Sequence, residues 1–143
     1  MTNRLLINWL KLACIFTGLV GIIAVAASTP VLSKPWLFLF DILNWPVDNN
    51  PAAFHEETYA INAVLGGVMI GWAALMYFLV KGPVAKGNIE VAKFILIALI
   101  IWFTFDSIGS ILAGLPGNVL LNVLFLVLFL PPLIQIVANK RVL

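Results

Sequence analysis

Apolar residues fill four long stretches of the chain without leaving a polar face. They run over about Ile7 to Ala27, Thr58 to Val80, Val91 to Ala113 and Asn118 to Ala138. Each is close to the ~20 residues that cover a bilayer core. An apolar surface on all sides marks a helix made for lipid, whereas a helix on a soluble globule keeps a polar stripe. The pattern predicts an all-α membrane protein, an antiparallel bundle of four transmembrane helices forming one domain over residues 1–143.

A fifth, shorter apolar segment lies between the first two runs, over about residues 34–46. Lys34-Pro35-Trp36-Leu37-Phe38-Leu39-Phe40-Asp41-Ile42-Leu43-Asn44-Trp45-Pro46 is bracketed by prolines and too short to cross. Tryptophans favour the headgroup zone, so Trp36 and Trp45 predict a short helix lying in the outer interface. It would cover the top of the bundle, or serve as a lid or docking surface. Val47-Asp48-Asn49-Asn50-Pro51 reads as a turn, Lys81 to Asn88 as a break followed by a flexible turn, and Gly114 to Asn118 as a tight connection. Pro131-Pro132 is expected to kink or end the fourth run.

Composition agrees with this pattern: of 143 residues, 63% are hydrophobic and 10% charged, against about a quarter charged in ordinary soluble domains. The first run has a basic start and an Ala24-Val25-Ala26 sequence resembling a cleavage site, but its length favours a membrane helix over a signal peptide. The net charge is +2, and the placement of the charges says more than their sum. Threading four helices up and down puts Arg4, Lys11, Lys81, Lys86, Lys93, Lys140 and Arg141 on one side. Lys34 falls on the other, with Asp41, Asp48, Glu56 and Glu57. Positive charge stays cytoplasmic. Both termini are therefore expected in the cytoplasm, and an inner membrane follows if the source is bacterial.

Chemistry-bearing residues are few. An ionisable group within a membrane helix is costly, which makes Asp106 the most informative position. By helical rise it lies roughly 10 Å below the outer end of its run. Asn62 and Asn122 are expected at a similar depth, with Ser107 and Ser110 beside the aspartate, so a polar cluster of Asp106, Asn62, Asn122, Ser107 and Ser110 is expected between the last three helices. It would serve either as interhelical glue or as a site for a ligand or ion. His55, Glu56 and Glu57 stand at the outer mouth of the second run. They read as a helix start with acids favoured by the dipole, or as a ligand set for a metal or pigment. Ala63, Gly67 and Gly71 form a small-residue stripe for helix packing, within the bundle or against a partner. Cys14 is the single cysteine and reads as a buried, inert thiol.

No P-loop, zinc-peptidase, nucleophile-elbow or Cys-x-x-Cys motif is present, and no basic cluster suggests nucleic acid. Catalytic residues and a bound metal are not expected. The leading expectation is a non-catalytic accessory or structural subunit of a membrane complex, or a small oligomer, with lipids, other membrane subunits or its own copies as partners. The second is a binder or carrier of a small amphiphile (a lipid, quinone or pigment) at Asp106. A membrane-embedded enzyme using Asp106 or His55 ranks third. Ala63-Val64-Leu65-Gly66-Gly67-Val68-Met69-Ile70-Gly71-Trp72 and Phe105-Asp106-Ser107-Ile108-Gly109-Ser110 carry a resemblance to small four-helix bacterial inner-membrane proteins of the DoxX-like and domain-of-unknown-function type. The resemblance spans roughly residues 58–133 and implies the topology but no activity.

Overall fold

A computed structural model describes residues 3–139. Lys140 and Arg141, part of the charge asymmetry above, lie outside the described residues. The elements in order are α1 (Asn3–Ala26), a 3-10 turn (Pro30–Leu32), α2 (Lys34–Asn44), α3 (Glu56–Leu79), a π turn (Val80–Val84), α4 (Ile89–Leu112) and α5 (Gly117–Ala138). No strand occurs among the described residues. Four of the helices are long and apolar enough to cross a membrane.

α1 packs along α3 and α4 along α5, while α1 also meets α5. The two pairs share a core that includes Leu10, Cys14, Met76, Leu99, Phe129 and Leu133. Outward-facing positions are as apolar as inward ones: Leu12, Val64, Phe78, Phe94, Phe105 and Leu124 are all exposed. A protein in water does not leave this much contiguous apolar surface open.

The α1–α3 contact depends on one glycine. A Cβ at Gly66 would stand 2.5 Å from the Gly21 carbonyl oxygen and the Val25 nitrogen. Only a residue without a side chain lets the two backbones come this close. Within the bundle the close contact is therefore made one position away from the Ala63, Gly67 and Gly71 stripe. Gly67 and Gly71 have nothing within 4 Å, and Ala63 is only half-buried, so these residues do not make the close contact inside the bundle. The buried face of α3 is instead Asn62, Gly66, Ala73 and Met76.

Helix ends follow local chemistry. Asn88 caps α4 by accepting from the Val91 N–H at 3.1 Å. α4 ends in a paired turn, with Leu115 N–H on the Ser110 carbonyl and Gly114 N–H on that of Ile111. Gly114, at φ 75°, supplies the left-handed residue this ending needs. The expected break at Lys81 is not one. The backbone continues through a wider turn in which Ala85 N–H reaches back five residues to the Val80 carbonyl at 3.0 Å, and Pro83 sits inside it. α5 likewise runs through Pro131 and Pro132 to Ala138.

α2 lies across one end of the bundle. Trp36 is buried with Ala24 and Ala27 of the α1 end, flanked by Phe40 and Phe54. Trp36 is thus turned into the bundle, whereas Trp45, at the far end of α2, is 75% exposed. The other end of α2 rests on the start of α5. A Cβ at Gly117 would overlap the Leu43 backbone. The buried Asp41 carboxylate accepts the backbone N–H groups of Asp48 (3.2 Å) and Asn49 (2.9 Å), which ties the following loop to the helix.

Candidate functional site

The polar cluster forms where α4 turns into α5. Asp106 and Ser110 are one helical turn apart on α4, as Asn118 and Asn122 are on α5. The short turn at Gly114 brings these two faces together. Asn122 Nδ2 donates to Asp106 Oδ1 at 2.7 Å and to Ser107 Oγ at 3.2 Å. Asn118 Nδ2 donates to the same Asp106 oxygen at 2.9 Å and to Ser110 Oγ at 2.8 Å. Ser110 Oγ donates to the Asp106 carbonyl at 2.7 Å and lies 3.3 Å from Oδ1. Asp106, Ser107, Ser110 and Asn122 thus meet as expected, and Asn118 joins them. The spacing of Asn118 four residues before Asn122 on one helix face was the signal for it.

Asn62 is not in this cluster. It is 2% exposed, accepts from Trp36 Nε1 at 3.2 Å through its Oδ1, and donates from Nδ2 to the Ala27 carbonyl at 3.3 Å. The physical reason is direct. Burying Trp36 requires an acceptor for its indole N–H, and Ala27 O is a carbonyl at the frayed end of α1 that needs a donor. Asn62 supplies both and fastens α2 to α3 and to α1. Thr104 bonds its own helix, at the Ile100 carbonyl, and is exposed.

His55 occupies the position before α3 in an extended conformation without a side-chain capping bond, and Glu56 and Glu57 form the first turn. All three are exposed. Among the described residues no group of three or more His, Cys, Asp or Glu side chains is arranged to hold a metal ion. These residues stand as a helix start whose acids suit the dipole, not as an assembled ligand set.

Beside the Asp106 cluster is a cavity of about 390 Å³. It is bounded by α2 through Trp36, Leu39, Phe40 and Leu43, by α3 through Leu65, Val68, Met69 and Trp72, and by α4 and α5 through Trp102, Leu121 and Phe125. Asp106, Asn118 and Asn122 supply its polar part. The backbones of α3 and α4 barely approach each other. Trp72 and Trp102 bridge the gap, with ring centroids 5.7 Å apart, and Trp102 meets Phe125 edge-on at 6.2 Å. The site therefore joins an aromatic wall to one carboxyl group and two amides. Small-molecule sites have this size and makeup, mostly apolar with a few placed polar groups. No family model matches the chain, and no curated protein or solved structure is similar to it.

Proposed function

We propose that this chain is a bacterial inner-membrane protein of four antiparallel spans that binds a small, mostly apolar molecule by its polar head in the cavity beneath α2. The lead observation is the coincidence of an aromatic cavity of about 390 Å³ with Asp106, whose Oδ1 gathers two amide donors while Oδ2 takes none from the described residues. A cluster serving only as glue has no need of a cavity beside it. The bonds that Asn122 donates to Asp106 and Ser107 and that Asn118 donates to Ser110 pair residues in opposite order along α4 and α5, which supports the antiparallel arrangement. The orientation, with both termini cytoplasmic, rests on Arg4, Lys11, Lys81, Lys86 and Lys93 against the acidic loop between α1 and α3.

Mass spectrometry of the chain purified in mild detergent tests the binding role. The wild type is expected to carry a small molecule that Asp106→Asn, still folded, retains at less than about a tenth of the level, because a lost charge-assisted contact is worth ~1.5–3 kcal/mol. Equal retention by the two proteins rejects the reading.

A second reading, an accessory subunit or small oligomer, draws on the open small-residue face of Gly67 and Gly71. It predicts a partner or a second copy in a mild-detergent preparation. A monodisperse monomer alone would oppose it.

A further inference from the structure

We propose that the head group taken by this cavity is an amine, so that its occupant is a small lipophilic ammonium. The proposal rests on the binding role above and narrows its chemistry. Its starting point is what the polar wall has left to offer. The Asn118 amide spends both N–H groups, on Asp106 Oδ1 and Ser110 Oγ. The Asn122 amide spends both of its own, on Asp106 Oδ1 and Ser107 Oγ. The Ser110 hydroxyl is turned to Asp106. Of the Asp106, Asn118 and Asn122 side chains that line the cavity, what no described residue engages is Asp106 Oδ2 and the two asparagine carbonyl oxygens. All three are acceptors. No buried side-chain N or O atom among the described residues lacks a partner, so these oxygens keep exposed surface, and the residues that carry them line the cavity.

The polar wall is left with acceptors, which suit a head group of donors; on the aromatic wall the Trp72 and Trp102 indole N–H groups bond no described residue. A hydroxyl offers one and a primary ammonium three. Two features decide for the ammonium. Among the described residues Asp106 is the single ionisable one lining the cavity, and no described Lys, Arg or His joins it there. The remaining wall holds Trp36, Trp72 and Trp102 with Phe40 and Phe125, and ring faces attract cations, indole most strongly. An anionic head would meet the Asp106 carboxylate with no cation between them. A plain hydrocarbon would cover Oδ2 without bonding it, at the cost of burying an unpaired polar atom.

The test uses the full chain in nanodiscs of zwitterionic lipid, titrated calorimetrically with octylamine, octanol and octanoate, each referenced to empty nanodiscs. Octylamine is expected to bind at least about tenfold more tightly than octanol, a difference of ~1.4 kcal/mol, and octanoate not to saturate. Asp106→Asn is expected to abolish the preference for the amine and leave octanol unchanged. Equal affinity for octylamine and octanol in the wild type overturns the amine proposal while the binding site stands. Absence of saturable binding by any of the three removes both. Should Asp106→Asn fail to fold, Trp102→Leu decides, because it leaves the polar cluster whole. Weakening octylamine several-fold more than octanol supports the proposal, and an unchanged ratio overturns it.

Discussion

At the scale of single residues, Asn62 and Asp106 show how the same chemistry is put to two uses. Each is a polar side chain on a long apolar helix. Both polar atoms of the Asn62 side chain are paired: its carbonyl takes the Trp36 indole and its amide serves the Ala27 carbonyl. Replacing it with alanine strands a buried donor and weakens the end of α1, so Asn62→Ala is expected to cost about 1–2 kcal/mol. Trp36→Phe, which removes the donor itself, frees the Asn62 carbonyl and should cost less through hydrogen bonding than through lost ring contact. Thermal melts of the detergent-solubilised proteins check the first figure; an unchanged midpoint for Asn62→Ala would show that the bond is not formed. The sequence made Asp106 conspicuous because an acid is rare in an apolar run. It could not separate Asn62 from Asp106, because depth along a helix says nothing about the direction a side chain takes around it. That direction was set by Trp36, whose N–H claims the only amide in reach at that end of α3.

The same limit applies to helices as units. The four long helices were legible because stretches of about twenty mostly apolar residues have few other solutions, and their observed ends lie within a few residues of the expected ones. Breaks were harder. Gly82-Pro83 has the composition of a terminator, yet a π turn absorbs the proline by shifting the bond to the fifth residue back. The glycine the α1 contact uses, Gly66, stands one residue from the Ala63, Gly67 and Gly71 stripe, and with Asn62 and Ile70 four residues to either side no small-residue pattern marks it. Substitution separates them. Gly66→Ala drives a methyl group into the Gly21 and Val25 backbone, which cannot give way, and is expected to cost about 1–3 kcal/mol. Gly67→Ala meets nothing within 4 Å and should be neutral or gain up to about 1 kcal/mol from helix propensity. Parallel denaturation curves of the two variants check the register of α1 on α3. Equal effects would contradict it. Gly117→Ala makes the corresponding test of α2 on α5, where the added methyl overlaps the Leu43 backbone.

For the whole molecule, the proposed orientation predicts which surfaces a membrane-impermeant thiol reagent reaches. Cys14 is the native thiol and is buried. In a Cys14→Ala background, Lys86→Cys in the α3–α4 connection should be labelled solely after the membrane is opened. Asn50→Cys in the loop after α2 should react in intact cells. The reverse pattern would invert the topology, and labelling of both sites in intact cells would remove it. The site was only half visible at this scale. Its polar wall comes from sequence neighbours across one short turn, which spacing reveals. Its aromatic wall gathers Trp36, Trp72 and Trp102 from three helices, and no local pattern announces that they meet.

That meeting gives the protein an optical signature of its own. Three of the five tryptophans line the cavity, while Trp9 and Trp45 face outward. Trp72 and Trp102 lie 5.7 Å apart with their planes inclined at 33°, close enough for the two indole transitions to mix. Such a pair gives a circular-dichroism couplet in the far ultraviolet whose sign and size follow the angle between the rings. A molecule in the cavity lies beside these rings, so occupancy should be readable without a label as a change in that couplet.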